Sequence, residues 1–167
     1  MINILSLEAH KVITIFLFLI GSCIGSFLNV CIYRIPLEES IVFPPSGCPK
    51  CKEKLKPKDM IPILSYIMLK GKCRYCKDPI SIQYPIVELI TGIIWLIIYN
   101  RYGFAIQTAA LLYLYTVLIP VAFIDFKYMI IPDGLVITGL VGGAAVFLYH
   151  VFYKPFPLYE SNLWYTP

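Results

Sequence analysis

The sequence predicts an all-α polytopic membrane protein with about four transmembrane helices and a cytoplasmic zinc-binding loop after the first. Hydrophobic residues make up 59% of the 167 residues and charged residues only 14%, with a mean hydropathy of +0.75. Ordinary soluble domains carry about 25% charged residues. The second observation is that most cations are gathered in one segment, which lies between apolar stretches and contains two cysteine pairs.

Four apolar windows are the predicted spans. Three are long enough to cross about 30 Å of hydrocarbon: Val12–Tyr33, Phe104–Ile124 and Ile130–Val151. The fourth, Ile86–Tyr99, is short and contains Glu88, but a helix that begins near Ser81 would reach a marginal span. We therefore predict four crossings.

Small residues in the first span predict a close helix contact. Gly21, Ser22, Gly25 and Ser26 give a Gly-x-x-x-Gly spacing, which lets a second helix approach one face. Asn29 follows them, and a buried amide needs a hydrogen-bond partner, which we expect on a neighbouring helix.

The charge distribution predicts the orientation. Ten of the fourteen Lys and Arg residues lie between Arg34 and Lys77, and positively charged loops remain in the cytoplasm. The N-terminus and the tail after Tyr153 are then external, and the turn at 125–129 is cytoplasmic. Membrane lipid is an expected partner of the basic loop. A net charge of +4 in this layout gives no reason to expect nucleic acid.

The N-terminus is expected to remain attached as a signal anchor. Residues 1–11 contain Glu8 and a single cation, and no small-x-small cleavage site follows the apolar run.

The two Cys-x-x-Cys pairs predict a metal site. Cys48 and Cys51 are separated by twenty-one residues from Cys73 and Cys76, a spacing typical of two knuckles around tetrahedral Zn²⁺. Redox dithiols, two disulfides or four unrelated thiols are the alternatives, and a reducing cytoplasm disfavours disulfides. A short polar loop cannot fold on its own apolar core, and a metal would supply the missing stability.

Three acids near the spans are candidates for chemistry, because ionisable groups in a membrane are costly. Glu88 follows Pro85 and would otherwise complement a helix dipole from the first turn. Asp133 follows Pro132, where a capping acid is expected.

Asp125 is harder to explain structurally. It ends the third predicted span, and a carboxylate at a helix C-terminus is electrostatically disfavoured. The alternative to a functional role is an interfacial acid paired with Lys127.

The order of motifs resembles that of type IV prepilin leader peptidases, which are polytopic membrane aspartic proteases. The matching segments, within residues 21 to about 135, are Gly25-Ser26-Phe27-Leu28-Asn29-Val30, Arg34-Ile35-Pro36, Ser46-x-Cys48-Pro49-x-Cys51, Asp59-x-Ile61-Pro62-x-x-Ser65-Tyr66, Gly71-x-Cys73-x-x-Cys76, Ile80-Ser81-x-x-Tyr84-Pro85-x-Val87-Glu88, Ile124-Asp125 and Ile131-Pro132-Asp133.

The resemblance implies a specific activity. Such enzymes cut the basic leader from prepilins and pseudopilins of pilus or type II secretion machinery, at the cytoplasmic face of the inner (plasma) membrane. Many then methylate the new N-terminus with S-adenosylmethionine. The family's first catalytic aspartate corresponds to Asp125, its cysteine knuckles to Cys48, Cys51, Cys73 and Cys76, and an acid of its methyl-transfer region to Glu88.

The resemblance also implies a division of the chain. Residues 1–33 would be an anchor helix, 34–84 the basic cysteine loop, 85–153 the first part of the peptidase transmembrane domain, and 154–167 an external tail.

The sequence departs from the family at one point. The family's second catalytic aspartate lies in a Gly-x-Gly-Asp motif, which these 167 residues do not contain, and Asp133 is a poor substitute. We therefore expect a fragment, an enzyme completed by another polypeptide, or a chain inactive alone. The competing hypothesis is a non-catalytic, membrane-anchored zinc module of a pilus or secretion apparatus.

Overall fold

The computed structural model describes residues 4–153, with the side chains of residues 10–149, 151 and 152. Five α-helices occur there, and two 3₁₀ turns, Ile35–Leu37 and Pro57–Asp59, lie in the loop. The helices are α1 (Ile4–Arg34), α2 (Leu64–Met68), α3 (Gln83–Tyr102), α4 (Ile106–Tyr128) and α5 (Asp133–Tyr153). No strand forms within this part of the chain, so the all-α prediction is confirmed. The predicted external tail, 154–167, lies outside the described residues.

Three helices are long and apolar enough to cross a membrane, namely α1, α3 and α4. Helix α3 begins at Gln83 and is 20 residues long. The short apolar window predicted at 86–99 is therefore part of a helix long enough to span a membrane, and Glu88 lies within that helix. The chain is thus a membrane protein. Helix α5 is apolar and 21 residues long, and a fourth crossing there remains a prediction, as does the division into four domains.

Helices α1 and α3 approach each other closely through small residues, as predicted. A Cβ atom on Gly25 would lie 2.7 Å from the Cα atom of Glu88, and one on Gly92 would lie 2.6 Å from the Ser22 hydroxyl oxygen. Asn29 has the expected partner on the neighbouring helix, because its Nδ2 donates to the Tyr84 carbonyl at 3.0 Å. The amide therefore fixes the register of α1 against the start of α3.

A buried apolar cluster of the bundle lies next to the cysteine loop. Helix α4 turns back after Gly103, so its last turns lie beside the start of α3. The buried cluster there comes from the loop-side ends of three helices: Leu28, Ile32, Val87, Ile119 and Ile124. A cavity of about 480 Å³ separates the first turn of α3 from the last turn of α4; it is lined by Ser81, Ile82, Gln83, Ile86, Phe123, Phe126 and Lys127.

We expect Gly25→Ala to destabilise the bundle, because the new methyl group would meet backbone atoms of Glu88 and Val87, which cannot move aside, as well as the Thr91 hydroxyl. Overpacking of this kind costs about 1–3 kcal/mol. Thermal unfolding of the purified chain in detergent measures the effect. Gly143→Ala is the matched control, since no heavy atom outside its own helix backbone lies within 4 Å of the added Cβ. Equal midpoints for the two variants would contradict the close approach.

Candidate functional site

The four cysteines of the loop come together in space. The Sγ atoms of Cys48, Cys51, Cys73 and Cys76 all lie within 4.8 Å of one another, and those of Cys48 and Cys76 are 3.8 Å apart. Tetrahedral Zn–S bonds of about 2.3 Å place sulfur atoms about 3.8 Å apart. The arrangement fits a metal ion held by four thiolates, and the donor set is consistent with structural zinc.

Each cysteine pair lies in a backbone knuckle of the same construction. In the first, the Cys48 amide donates to the Glu53 carbonyl at 3.0 Å, and the Lys52 amide donates to the Cys48 carbonyl at 2.9 Å. Lys52 has a φ of +58°, a left-handed conformation that closes the turn. The two bonds close the turn, and both thiols of the pair lie in the cluster with the other two.

The second knuckle repeats the first, residue by residue. The Cys73 amide donates to the Asp78 carbonyl at 2.8 Å, the Lys77 amide to the Cys73 carbonyl at 3.1 Å, and Lys77 has a φ of +61°. The repeat is visible in the sequence as Cys-x-x-Cys-Lys followed by an acid. Sequence reasoning used only the cysteines and missed this longer duplicated motif.

The knuckles hold their thiols in different electrostatic environments. The amide groups of Cys76 and Tyr75 donate to the Cys73 sulfur and lower the pKa of this thiol to about 7. At Cys76, a hydrogen bond from the Asp78 amide favours the thiolate, but desolvation and the neighbouring cysteines outweigh it and raise the pKa to about 11. Metal binding at neutral pH must therefore release protons from this site.

Two ion pairs brace the knuckles. Arg74 Nε and Nη2 both donate to Asp59 Oδ1, at 2.9 and 2.6 Å, and these bonds lower the pKa of the Asp59 carboxyl. The Asp59 side chain is only 1% exposed, whereas the second pair, Lys50 with Asp78, lies nearer the surface. The Asp59–Arg74 pair thus ties the second knuckle to the 3₁₀ turn between the cysteine pairs.

Glu88 joins the cysteine loop to the membrane bundle. Its Oε2 accepts a hydrogen bond from the Ile63 amide at 2.7 Å, and the Ser26 hydroxyl of α1 is a second partner. Since α3 begins at Gln83, Glu88 lies in the second helical turn, and the expected first-turn position is wrong. Ile63 adopts a φ of +62°, which is unfavourable for a β-branched residue.

Asp125 and Asp133 are both exposed at the loop-side end of the bundle. The ion pair considered for Asp125 does not form, because the Lys127 ammonium lies 5.0 Å from the centre of the Tyr128 ring instead. Asp133 is the first residue of α5, where its charge is favourable for the helix dipole, and its predicted capping role stays a prediction. Among the described side chains, no hydrogen bond or ion pair links the two carboxylates.

The remaining cysteines are not part of the cluster. Cys31 is buried in α1, whereas Cys23 is exposed on the same helix. Of the two histidines, His10 stacks against Tyr99 with ring centroids 5.8 Å apart.

Comparison with known proteins assigns residues 19–102 to a known family. The family described as the bacterial peptidase A24 N-terminal domain matches residues 19–102. The prepilin leader peptidase/N-methyltransferase of Myxococcus xanthus is 43% identical over 132 residues, covering 79% of this chain and 39% of that protein. Its counterpart in Bacillus subtilis is 36% identical over 152 residues, covering 80% of this chain and 61% of that protein.

The similarity extends to the enzyme of the same description from Klebsiella pneumoniae, 38% identical over 134 residues, with 77% of this chain and 59% of that protein covered. The chain thus spans 39–61% of the length of these three relatives. No solved structure matches the chain.

We expect the purified chain to contain one zinc ion, and Cys73→Ser to remove it, because three thiolates cannot close the tetrahedral site. Inductively coupled plasma mass spectrometry gives the metal-to-protein ratio. Cys23→Ser is the matched control, since Cys23 lies on α1, and it should retain the ion. Zinc affinity should fall roughly tenfold or more per pH unit below 7, where the Cys73 thiolate becomes protonated. Four freely titrating thiols without bound metal would contradict the site.

Proposed function

This chain belongs to the family of the bacterial peptidase A24 N-terminal domain, and we propose that it acts in prepilin leader cleavage by an aspartic endopeptidase mechanism. The substrates would be type IV prepilins or pseudopilins, cut after their basic leader at the cytoplasmic face of the inner membrane. The observation that carries the proposal is the similarity to prepilin leader peptidase/N-methyltransferases over more than three quarters of the chain.

Asp125 is the proposed catalytic carboxylate. It is exposed, has no ion-pair partner among the described side chains, and lies on the same side of the bundle as the cysteine loop. In an aspartic protease one carboxylate takes a proton from the attacking water, and the other, protonated, hydrogen-bonds the scissile carbonyl. An unpaired and accessible carboxylate could take either role, as the base that accepts the proton from water or as the protonated acid that donates to the carbonyl.

The second carboxylate of the dyad is either Asp133 or an acid outside these 167 residues. Asp133 is exposed near the same end of the bundle, on the short connection that follows α4. The helix dipole already explains why an acid occupies this position in the first turn of α5. An acid outside these 167 residues is therefore the better candidate for the second carboxylate. Two such carboxylates share one proton, because like charges at close range cannot both ionise.

The cavity between α3 and α4 supports a substrate position beside Asp125. Phe123 and Phe126 line it and flank the proposed catalytic residue in sequence. A substrate with a membrane-embedded helix and a charged leader would present its cleavage site at this depth, where apolar walls meet the aqueous loop. The cytoplasmic orientation follows from the basic loop.

Methyl transfer with S-adenosylmethionine is a second proposed activity, and Glu88 its proposed contributor. The Glu88 side chain is nearly buried, and Ile63 and Ser26 already occupy its oxygens. We assign it a positioning role, in which it holds residues 60–70 against the bundle. The zinc site would give this loop its rigid fold and no reactive position, since four thiolates complete the coordination.

The alternative function is a non-catalytic zinc module that binds a component of a pilus or secretion apparatus. The four-cysteine cluster favours this alternative, because a metal ion with four thiolate ligands would stabilise the loop but would have no free position for catalysis. Cleavage activity of the chain distinguishes the two functions.

If Asp133 supplies the second carboxylate, we expect the chain, reconstituted in lipid nanodiscs, to cleave a purified prepilin, and Asp125→Asn to lower the rate by about 10²–10⁴-fold, as for other general acid–base residues. Mass spectrometry of the substrate identifies the product. Glu39→Gln, which changes an exposed acid of the loop away from the knuckles, should leave the rate unchanged, and Asp133→Asn tests the second carboxylate. No cleavage by the unmodified chain at any concentration would exclude peptidase activity of the chain on its own.

We expect the chain to bind radiolabelled S-adenosylmethionine, and Glu88→Gln to weaken this binding, because an amide accepts the Ile63 hydrogen bond less strongly than a carboxylate. Glu53→Gln, in the first knuckle, is the matched control. Zinc content is measured in parallel. Absence of binding by a zinc-loaded chain would contradict the methyl-transfer proposal and leave the peptidase proposal intact.

A further inference from the structure

The short helix α2 exposes one apolar face. Leu64, Ile67 and Met68 occupy positions i, i+3 and i+4, which share one side of a helix, and they are 55%, 63% and 71% exposed. The opposite side faces the loop, where the Tyr66 ring lies against Gly71. Three exposed side chains on five residues are too few for a stable protein interface, which buries roughly 800 Å² on each partner.

The hydrogen bond from Ile63 to Glu88 fixes the height of this face relative to the membrane. Helix α3 has 20 residues, about 30 Å, which only just spans the hydrocarbon layer, so its first turns must lie at the boundary. Glu88 is five residues from the start of α3, roughly 7 Å along the axis. Residue 63, and α2 directly after it, therefore lie within about 7 Å of the boundary between the hydrocarbon and the headgroups.

Positive charge adjoins the apolar face. A cavity of about 360 Å³ begins at Met68 and is lined by Met68, Leu69, Lys70, Lys72, Cys73, Arg74 and Lys77. Arg74 is engaged by Asp59, and Lys77 donates to the Arg74 carbonyl. Lys70 and Lys72 have no carboxylate partner among the described side chains. The cavity thus combines an apolar wall with two cations available to an anion.

We propose that this part of the loop is an anionic-phospholipid site: Leu64, Ile67 and Met68 insert among the acyl chains at the interface, and Lys70 and Lys72 bind the headgroup phosphate. Apolar side chains beside lysines at headgroup depth are the pattern of interfacial helices that bind acidic lipid. This inference does not depend on the peptidase or methyl-transfer proposals.

The first experiment is native mass spectrometry of the full chain in detergent, titrated with phosphatidylglycerol or phosphatidylcholine. One lysine near an anionic surface contributes roughly fivefold in affinity, so Lys70→Gln combined with Lys72→Gln should lower phosphatidylglycerol binding roughly 25-fold. Lys54→Gln combined with Lys56→Gln removes the same charge outside the cavity and should have little effect. Equal losses in both double variants, equal binding of the two lipids, or displacement of the lipid by equimolar inorganic phosphate would overturn the site.

The second experiment identifies what covers α2. A benzophenone amino acid at position 67, in chains reconstituted with phosphatidylglycerol, should form a lipid adduct after irradiation. The same group at position 75, on the second knuckle, should form several-fold less. Zinc content shows that both chains are folded. Cross-links at position 67 to a second copy of the chain, or no lipid adduct in a zinc-loaded chain, would contradict the proposal.

Discussion

The close packing of α1 against α3 is the constraint on which the rest of the structure depends. The loop leaves the membrane at the end of α1 and returns at the start of α3, so the distance between these helices sets the separation of the loop ends. Gly25 allows the Glu88 backbone to approach, and Asn29 fixes the register through the Tyr84 carbonyl. Without that approach, Glu88 would lack Ser26 as a partner, and its contact with Ile63 would lose its support.

Two groups of polar contacts, one at each end of the loop, hold its fold. At the membrane end, Glu88 holds Ile63; at the distal end, the knuckles surround a cluster of four thiols, braced by Asp59 and Arg74. Between them lies little buried apolar surface, since the exposed side chains of α2 face outward. Such a segment gains stability from a few strong polar contacts and a metal, where a larger domain would use a core.

The sequence predicts those parts of the molecule that depend on composition and short spacing. The apolar windows, the Gly25 contact and the cysteine cluster belong to this group, and the structure confirms the helix contact and the gathering of the thiols. The contact of Glu88 with Ile63 was not predictable, because it joins a side chain to a backbone amide twenty-five residues away. Helix α2 was missed for a similar reason: five residues carry too little periodicity to identify a helix.

The duplicated knuckle has a consequence for how the site is assembled during synthesis. Each knuckle closes its own backbone hydrogen bonds and presents two sulfur atoms, so neither needs the other for its local shape. The ribosome delivers the first pair, Cys48 and Cys51, together with the inserted α1, and the second pair follows twenty-one residues later. An ion bound by the two thiolates of the first pair would keep two tetrahedral positions for the second pair. The order of the two knuckles in the chain is thus also the order in which their thiols become available to a metal ion.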